Sequence, residues 1–255
     1  MMVALPQSFV RLPLAHRGLH DRSAGRIENA MASFLAAVEA GYGIELDLQL
    51  SSDGQAMAFH DYGLDRLTHE TGLVRDRTAK ELSMITLKDT QDKIPTFAEV
   101  LDAVEGRVPL LIEVKDQDGA YGTAVGELEA AAARDLKGYL GECAVMSFNP
   151  HSVAVMQTLM PEIPRGLTTD DFSDFENVLA TDAFSRLRRI EDFERVGASF
   201  ISHDKADLDW PRVSELRAAG ARVLCWTVRS PAEEAAALSV AENITFEGYL
   251  PRVTA

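Results

Sequence analysis

At 255 residues the chain is long enough to bury a full core, either as one large α/β barrel or as two smaller domains. With 46% hydrophobic and 25% charged residues it has the composition of a folded soluble enzyme, which argues against disorder. Its 25 basic against 40 acidic residues give a net charge of −15, which lacks the diffuse positive field that duplex DNA or an anionic membrane requires, so no nucleic-acid partner is expected.

No apolar run approaches the roughly 18–20 residues of a membrane-spanning helix, so no stable membrane insertion is expected. The segment Met1–Gly18 has a proline at position 6 and no basic stretch ahead of its apolar residues, so it does not read as a secretory signal. The two cysteines, Cys143 and Cys225, each lie in an apolar, strand-like run. That pattern fits buried free thiols in a reducing compartment better than a disulfide framework, and a cytoplasmic location is expected.

The first strand is predicted at Leu12–His16. A helix follows, its apolar stripe Met31, Phe34, Leu35 and Val38 stepping by three and four residues, with Gly41 closing it. A second strand, Gly43–Gln49, is followed by a short apolar run, Gln55–Phe59, that ends in His60. Residues 61–93 are polar and charge-rich, too long for an ordinary loop, and read as an insertion on the rim of the fold. After Pro95, Thr96 and Glu99 form a capping box that opens a helix with the stripe Phe97, Val100, Leu101 and Val104. Further strands are predicted at Leu110–Lys115, Ala144–Phe148, Arg165–Thr168, Ser199–Ser202, Arg222–Val228 and Asn243–Glu247. Pro150, Pro211 and Pro231 sit where a first-turn proline belongs, and Gly220 closes a helix. Strands alternating with helices over this length match a single (β/α)8 TIM barrel spanning residues 1–255, although a doubly wound open sheet would show the same alternation.

The chemistry starts in the second strand. Ile44, Leu46, Leu48 and Leu50 face one way, while Glu45, Asp47 and Gln49 face the other. A parallel strand covered on both sides should be apolar on both faces, so two carboxylates one pleat apart need a positive partner. A divalent cation would supply it, as would buried arginine or lysine. In the next barrel strand, Leu111, Glu113 and Lys115 share a face, which adds a third carboxylate at the same level with a cation beyond it. Three acids converging from adjacent strands have the composition of a Mg2+ or Ca2+ site, with Lys115 free to grip an anionic oxygen. A Glu113–Lys115 pair filling the barrel end is the purely structural alternative.

His16 and His60 both end strand-like runs, where an imidazole beside carboxylates suits general acid–base work. His20, His69, His151 and His203 are taken as structural. Arg17, next to His16, offers a fork of donors for phosphate oxygens. All of these candidates are expected at the C-terminal ends of strands, the face of such a barrel that carries its chemistry.

The ordered set H-R-G (16–18), E-N (28–29), I-E-L-D (44–47), D-G (53–54), H-D (60–61), the L-x-R-x-T around Arg66, T-x-x-E-L (78–82), I-P-T-F-x-E-V-L from Ile94, I-E-V-K (112–115), S-F-N-P (147–150) and C-W-T-V (225–228) resembles the glycerophosphodiester phosphodiesterases. The resemblance is dense from Leu14 to Phe148, thin from Thr169 to Phe200, and resumes near Trp226. It implies a TIM barrel with a small insertion after the second strand and one divalent cation, Mg2+ or Ca2+, on Glu45, Asp47 and Glu113. It further implies acid–base roles for His16 and His60, phosphate contacts from Arg17 and Lys115, an aromatic wall at Trp226, and a supporting part for Glu28. Ile27 stands where the family has proline, the first loop is idiosyncratic, and the last strand reads N-I-T-F-E-G-Y-L-P in place of the usual glycine and aspartate pattern.

The expected activity is hydrolysis of a glycerophosphodiester, a small-molecule substrate, to sn-glycerol 3-phosphate and an alcohol. A lysophospholipase D-like enzyme on the same barrel, a two-carboxylate glycosidase and a non-catalytic phosphodiester-binding module are the rivals. Whether copies of the chain form a homo-oligomer is left open by the sequence, as is the identity of the alcohol.

Overall fold

The computed structural model describes residues 2–173 and 179–253. Among these residues nine strands form: β1 (Leu14–Ala15), β2 (Gly43–Leu50), β3 (Ala56–Ala58), β4 (Leu110–Val114), β5 (Cys143–Ser147), β6 (Arg165–Thr169), β7 (Phe200–Asp204), β8 (Arg222–Val228) and β9 (Asn243–Phe246). All but β3 are parallel, and β1 pairs with both β2 and β9, so the sheet closes into an eight-stranded barrel. The predicted alternation is therefore that of a TIM barrel, not of an open sheet.

The short run at 55–59 is not a barrel stave. β3 turns back antiparallel to the outer half of β2, with Leu48 opposite Ala58 and Leu50 opposite Ala56. The described helices are α1 (Ser8–Arg11), α2 (Met31–Ala40), α3 (Ala79–Leu82), α4 (Phe97–Val104), α5 (Glu127–Leu136), α6 (Pro150–Leu159), α7 (Thr181–Arg188), α8 (Pro211–Ala218) and α9 (Pro231–Ala237). Their starts follow the predicted chemistry. Thr96 accepts the Glu99 N–H at 3.2 Å while Glu99 accepts the Thr96 N–H at 2.8 Å, and the prolines at 150, 211 and 231 open α6, α8 and α9.

Alternation along the staves divides two apolar layers. Ile44, Leu46 and Leu48 of β2, with Leu110, Ile112 and Val114 of β4, pack outward against Phe34, Phe97, Val100 and Val104 of the helices. Leu14, Leu111, Ala144, Met146, Phe200 and Leu224 fill the lumen, where Leu5 and Phe9 join them. The N-terminal segment thus supplies floor residues, and the Asn243 amide ties it down by donating to the carbonyls of Phe9 (2.7 Å) and Leu12 (2.6 Å).

Residues 61–93 are less uniformly polar than their composition suggests. Leu64, Leu67, Val74, Ala79, Leu82 and Leu87 bury themselves with Ile27, Met57, Phe59 and Ile94 in a cluster separate from the main core. Cys225 is buried, Cys143 is only half-buried, and both are free. No described helix is long and apolar enough to cross a membrane.

Candidate active site

The lumen changes character towards its C-terminal end. Asp47 of β2 stands in register with Glu113 of β4, and Glu45 lies one pleat below Asp47. Carboxylate oxygens of Glu45, Asp47 and Glu113 all lie within 4.8 Å of one another, on residues only 2%, 1% and 5% exposed. The expected convergence is present, but its level differs from expectation for β2. Glu45 and Asp47 are the third and fifth of the eight residues of that strand, because β2 runs on past the barrel to pair with β3.

Two cations enter this cluster. Lys115 Nζ sits 2.7 Å from Asp47 Oδ1 and 2.5 Å from Glu113 Oε1, so the Glu113–Lys115 pair forms within the carboxylate cluster rather than instead of it. Arg17 approaches Asp47 Oδ2 through Nε at 3.3 Å, grips Glu28 through a terminal nitrogen at 2.6 Å, and donates its backbone N–H to Glu45 at 2.9 Å. Its left-handed backbone (φ 55°) hands the chain to Gly18 (φ 80°), where a Cβ would lie 2.5 Å from Ser33 Oγ; only glycine lets the loop lie this close to α2.

The charges are unevenly shared. Burial opposes ionisation of Asp47, yet Lys115, His60 and Arg17 hold its carboxyl far below the usual range. Burial, together with the neighbouring Asp47 and Glu113, pushes Glu45 well above that range, and Glu45 forms no ion pair among the described residues. A hard, oxygen-seeking divalent cation fits such a donor set, with one buried carboxylate left short of positive charge.

Asn29 completes the wall. Its amide donates to Asp47 Oδ2 at 2.8 Å and its carbonyl oxygen accepts the Asp47 N–H at 3.2 Å. In the sequence it appears only as half of the E-N pair; its left-handed φ of 55° is a conformation that asparagine tolerates better than most residues.

The two histidines come from opposite directions. His16 follows β1 directly, whereas His60 is returned to the level of Asp47 by the β2–β3 hairpin, the Phe59 N–H donating to the Asp47 carbonyl at 3.0 Å. Each has a carboxylate at Nδ1: Glu247 for His16 (2.6 Å) and Asp61 for His60 (2.7 Å). Each carboxylate is in turn held by an arginine, Arg229 on Glu247 (2.7 Å) and Arg66 on Asp61 (2.6 Å). Arg66 also grips both oxygens of Glu28 at 2.7 Å, so a continuous chain of contacts joins His60 to Arg17 through Asp61, Arg66 and Glu28. Burial works against the Glu28 carboxylate, but Arg66 and Arg17 outweigh it and bring its pKa down to about 2. For His16 burial dominates and lowers the pKa, with Glu247 pulling the other way.

The remaining predicted residues are placed as follows. Trp226 on β8 is half-buried, donates Nε1–H to the Ser202 carbonyl at 2.9 Å, and meets Phe148 edge-to-face at 5.7 Å. His203 is buried with both nitrogens occupied, a structural residue as expected. His20 lies with Nε2 3.4 Å from Glu247 Oε2. Glu247, which holds His16, is not among the candidates that the sequence offers: its strand stands out there only as a departure in pattern, and 231 positions separate it from His16.

This geometry can be set beside known proteins. A model of the glycerophosphoryl diester phosphodiesterase family matches residues 16–243. A glycerophosphodiester phosphodiesterase of Caldanaerobacter subterraneus subsp. tengcongensis is 32% identical over 165 residues, covering 61% of this chain and 65% of that protein. One from Bacillus altitudinis is 33% identical over 166 residues, covering 62% and 66%. The chain thus spans just under two thirds of the length of these relatives in the matched stretch. Among solved structures, an Oleispira antarctica phosphodiesterase in complex with the product sn-glycerol-3-phosphate superposes with a TM-score of 0.74 over 94% of each chain at 26% identity.

Proposed function

Because the chain belongs to the glycerophosphoryl diester phosphodiesterase family, we propose that it is a metal-dependent phosphodiesterase that hydrolyses glycerophosphodiesters to sn-glycerol 3-phosphate and an alcohol. The observation that carries this reading is the meeting of Glu45, Asp47 and Glu113 between two histidines, each backed by a carboxylate. Those three acids would hold one divalent cation, Mg2+ or Ca2+, which when bound supplies Lewis-acid polarisation of a phosphate oxygen and activation of the attacking oxygen.

The chain's own groups do the rest. Arg17, aimed by Glu28, and Lys115, aimed by Asp47 and Glu113, present fixed positive charge to the extra negative charge that develops on the phosphoryl group. His60, its Nδ1 tied to Asp61, takes the proton of the attacking hydroxyl at Nε2. His16 gives a proton to the departing alkoxide. Trp226, with Phe148 beside it, walls the organic part of the substrate. We read residues 1–255 as one barrel domain with 61–93 inserted on its rim, a reading supported by the apolar cluster that the insertion shares with Met57 and Phe59. The acidic composition and the free thiols support a cytoplasmic enzyme.

The test is an activity panel on enzyme stripped with EDTA, then supplied singly with Mg2+, Ca2+ or neither. Glycerophosphocholine, glycerophosphoethanolamine, glycerophosphoinositol and glycerophosphoglycerol are the substrates, and a p-nitrophenyl glycoside serves as the glycosidase control. Release of sn-glycerol 3-phosphate that depends on restored metal is the expected result. Full activity in EDTA, or turnover of the glycoside alone, overturns the reading. His16→Ala and His60→Ala should each lose at least about 100-fold in turnover while keeping the wild-type circular dichroism spectrum.

A further inference from the structure

Glu247 has no part in the reaction as described, yet it occupies a guarded place in the site. It follows β9, the stave that closes the barrel against β1, and the His16 N–H donates to the Phe246 carbonyl at 2.9 Å. Barrel closure therefore sets the two side chains together. Glu247 Oε2 lies 2.6 Å from His16 Nδ1 and 3.4 Å from His20 Nε2, while Oε1 accepts from Arg229 Nε at 2.7 Å. Hydrogen bonds from His16 and His20, with Arg229 nearby, outweigh partial burial and hold the carboxyl well below the usual carboxylate range. An ionised carboxylate can only accept, so His16 carries its proton on Nδ1 and leaves Nε2 as its working nitrogen.

We propose that Glu247 is a positioning residue for catalysis, fixing the tautomer and ring orientation of His16. The proposal rests on the reading of His16 as an acid–base group. Glu247 also stabilises the imidazolium that His16 must become in order to protonate a leaving group, against burial and Arg17, and in the same direction as Asp47. The arrangement repeats that of His60, Asp61 and Arg66 across the barrel mouth, with Arg229 in the place of Arg66. His16, His20 and Glu247 together also have the donor types of a transition-metal site. Arg229 already pairs with the other carboxylate oxygen and Arg17 flanks His16, so the hydrogen-bonded pair is the arrangement the charges favour.

The test compares Glu247→Gln, Glu247→Asp and His16→Ala in the metal-loaded enzyme, using glycerophosphocholine and following kcat and KM against pH. Gln keeps the shape and an accepting oxygen but loses the charge. E247Q should lose about 10- to 100-fold in kcat with KM within about twofold, and the alkaline limb of its kcat profile should move to lower pH. E247D, a shorter carboxylate, should recover part of the loss. Nitrogen-15 spectra of the His16 ring should show a single Nδ1–H tautomer in the wild type and a mixture in E247Q. If E247Q keeps the wild-type kcat, pH profile and tautomer while His16→Ala is inactive, the positioning role is overturned and the reading of His16 stands. If His16→Ala itself remains fully active, the reading on which the proposal rests has failed, and the proposal with it.

Discussion

Asn29 serves Asp47 much as Glu247 serves His16. Both ends of its amide are occupied by one residue, the side-chain oxygen and the backbone N–H of Asp47, and its own N–H donates to the Arg17 carbonyl at 2.8 Å. Carboxylates around a metal depend on such outer partners for their orientation. Asn29→Ala should therefore weaken divalent-ion affinity by about 10- to 100-fold, read as a shift in the metal concentration giving half-maximal activity and in a calorimetric titration with the same ion. An unchanged metal response would mean that Asp47 holds its place without the amide. His203 makes a separate prediction, away from the metal. Thr169 Oγ1 lies 2.7 Å from Nδ1 and the Asp207 carbonyl 3.2 Å from Nε2, so the ring fits as a neutral donor–acceptor, and burial takes its pKa down to about 4. A histidine whose folded pKa lies below its unfolded value stabilises the fold fully above about pH 6.5 and loses that contribution as pH falls towards 4, about 3 kcal/mol in all. Thermal unfolding of the wild type should fall across this window. His203→Asn, though less stable overall, should show a shallower slope there; equal slopes would assign the pH dependence to other groups.

At the scale of the element, the β2–β3 hairpin separates what was legible in the sequence from what was not. The period-two pattern puts Glu45 and Asp47 on one face of β2 and Glu113 on one face of β4, because strand geometry leaves side chains no other arrangement, and the parallel register then sets Glu113 opposite Asp47. Gln55–Phe59 is as apolar as a stave, and its composition did not show that it folds back antiparallel outside the barrel. The sequence marks His60 as the end of that short run, and the fold-back is what returns it to Asp47. Glu247 illustrates the other limit: its link to His16 is made by ring closure between the first and last staves, which no local pattern records. Capping chemistry, by contrast, is local, and the box at Thr96 and Glu99 is legible in the sequence. Thr96 and Glu99 satisfy each other's backbone donors at the start of α4, the helix that follows the insertion. Thr96→Ala should cost about 1 kcal/mol in urea unfolding while leaving kcat unchanged, since the cap touches neither histidine nor any of the clustered carboxylates. A fall in kcat larger than the loss of folded protein would tie the helix start to the site.

Taken whole, the barrel has an apolar end and a charged end. Leu5, Phe9, Leu14, Leu111, Phe200 and Leu224 pack the lower lumen, while Glu45, Asp47, Glu113, Lys115 and Arg17 occupy the upper. Buried like charges cost stability unless they are compensated, so the charged end is a liability that the apolar end must offset. Phe9 tests this division because it is fully buried in the floor and comes from a four-residue helix, α1, that is no part of any stave. No local pattern in this segment records its part in the fold, which depends on Asn243, more than two hundred positions away, which holds it in place. Phe9→Ala removes a full aromatic side chain from a packed layer and should lower the unfolding free energy by about 3–5 kcal/mol. Activity per folded molecule, measured well below the new unfolding midpoint, should stay within about twofold of wild type, because the groups proposed to react hang from the opposite ends of the staves. Stability and turnover falling together in the still-folded variant would show that packing in the floor sets the spacing of the carboxylates above it. The lumen would then behave as one continuous column rather than as two ends with separate duties.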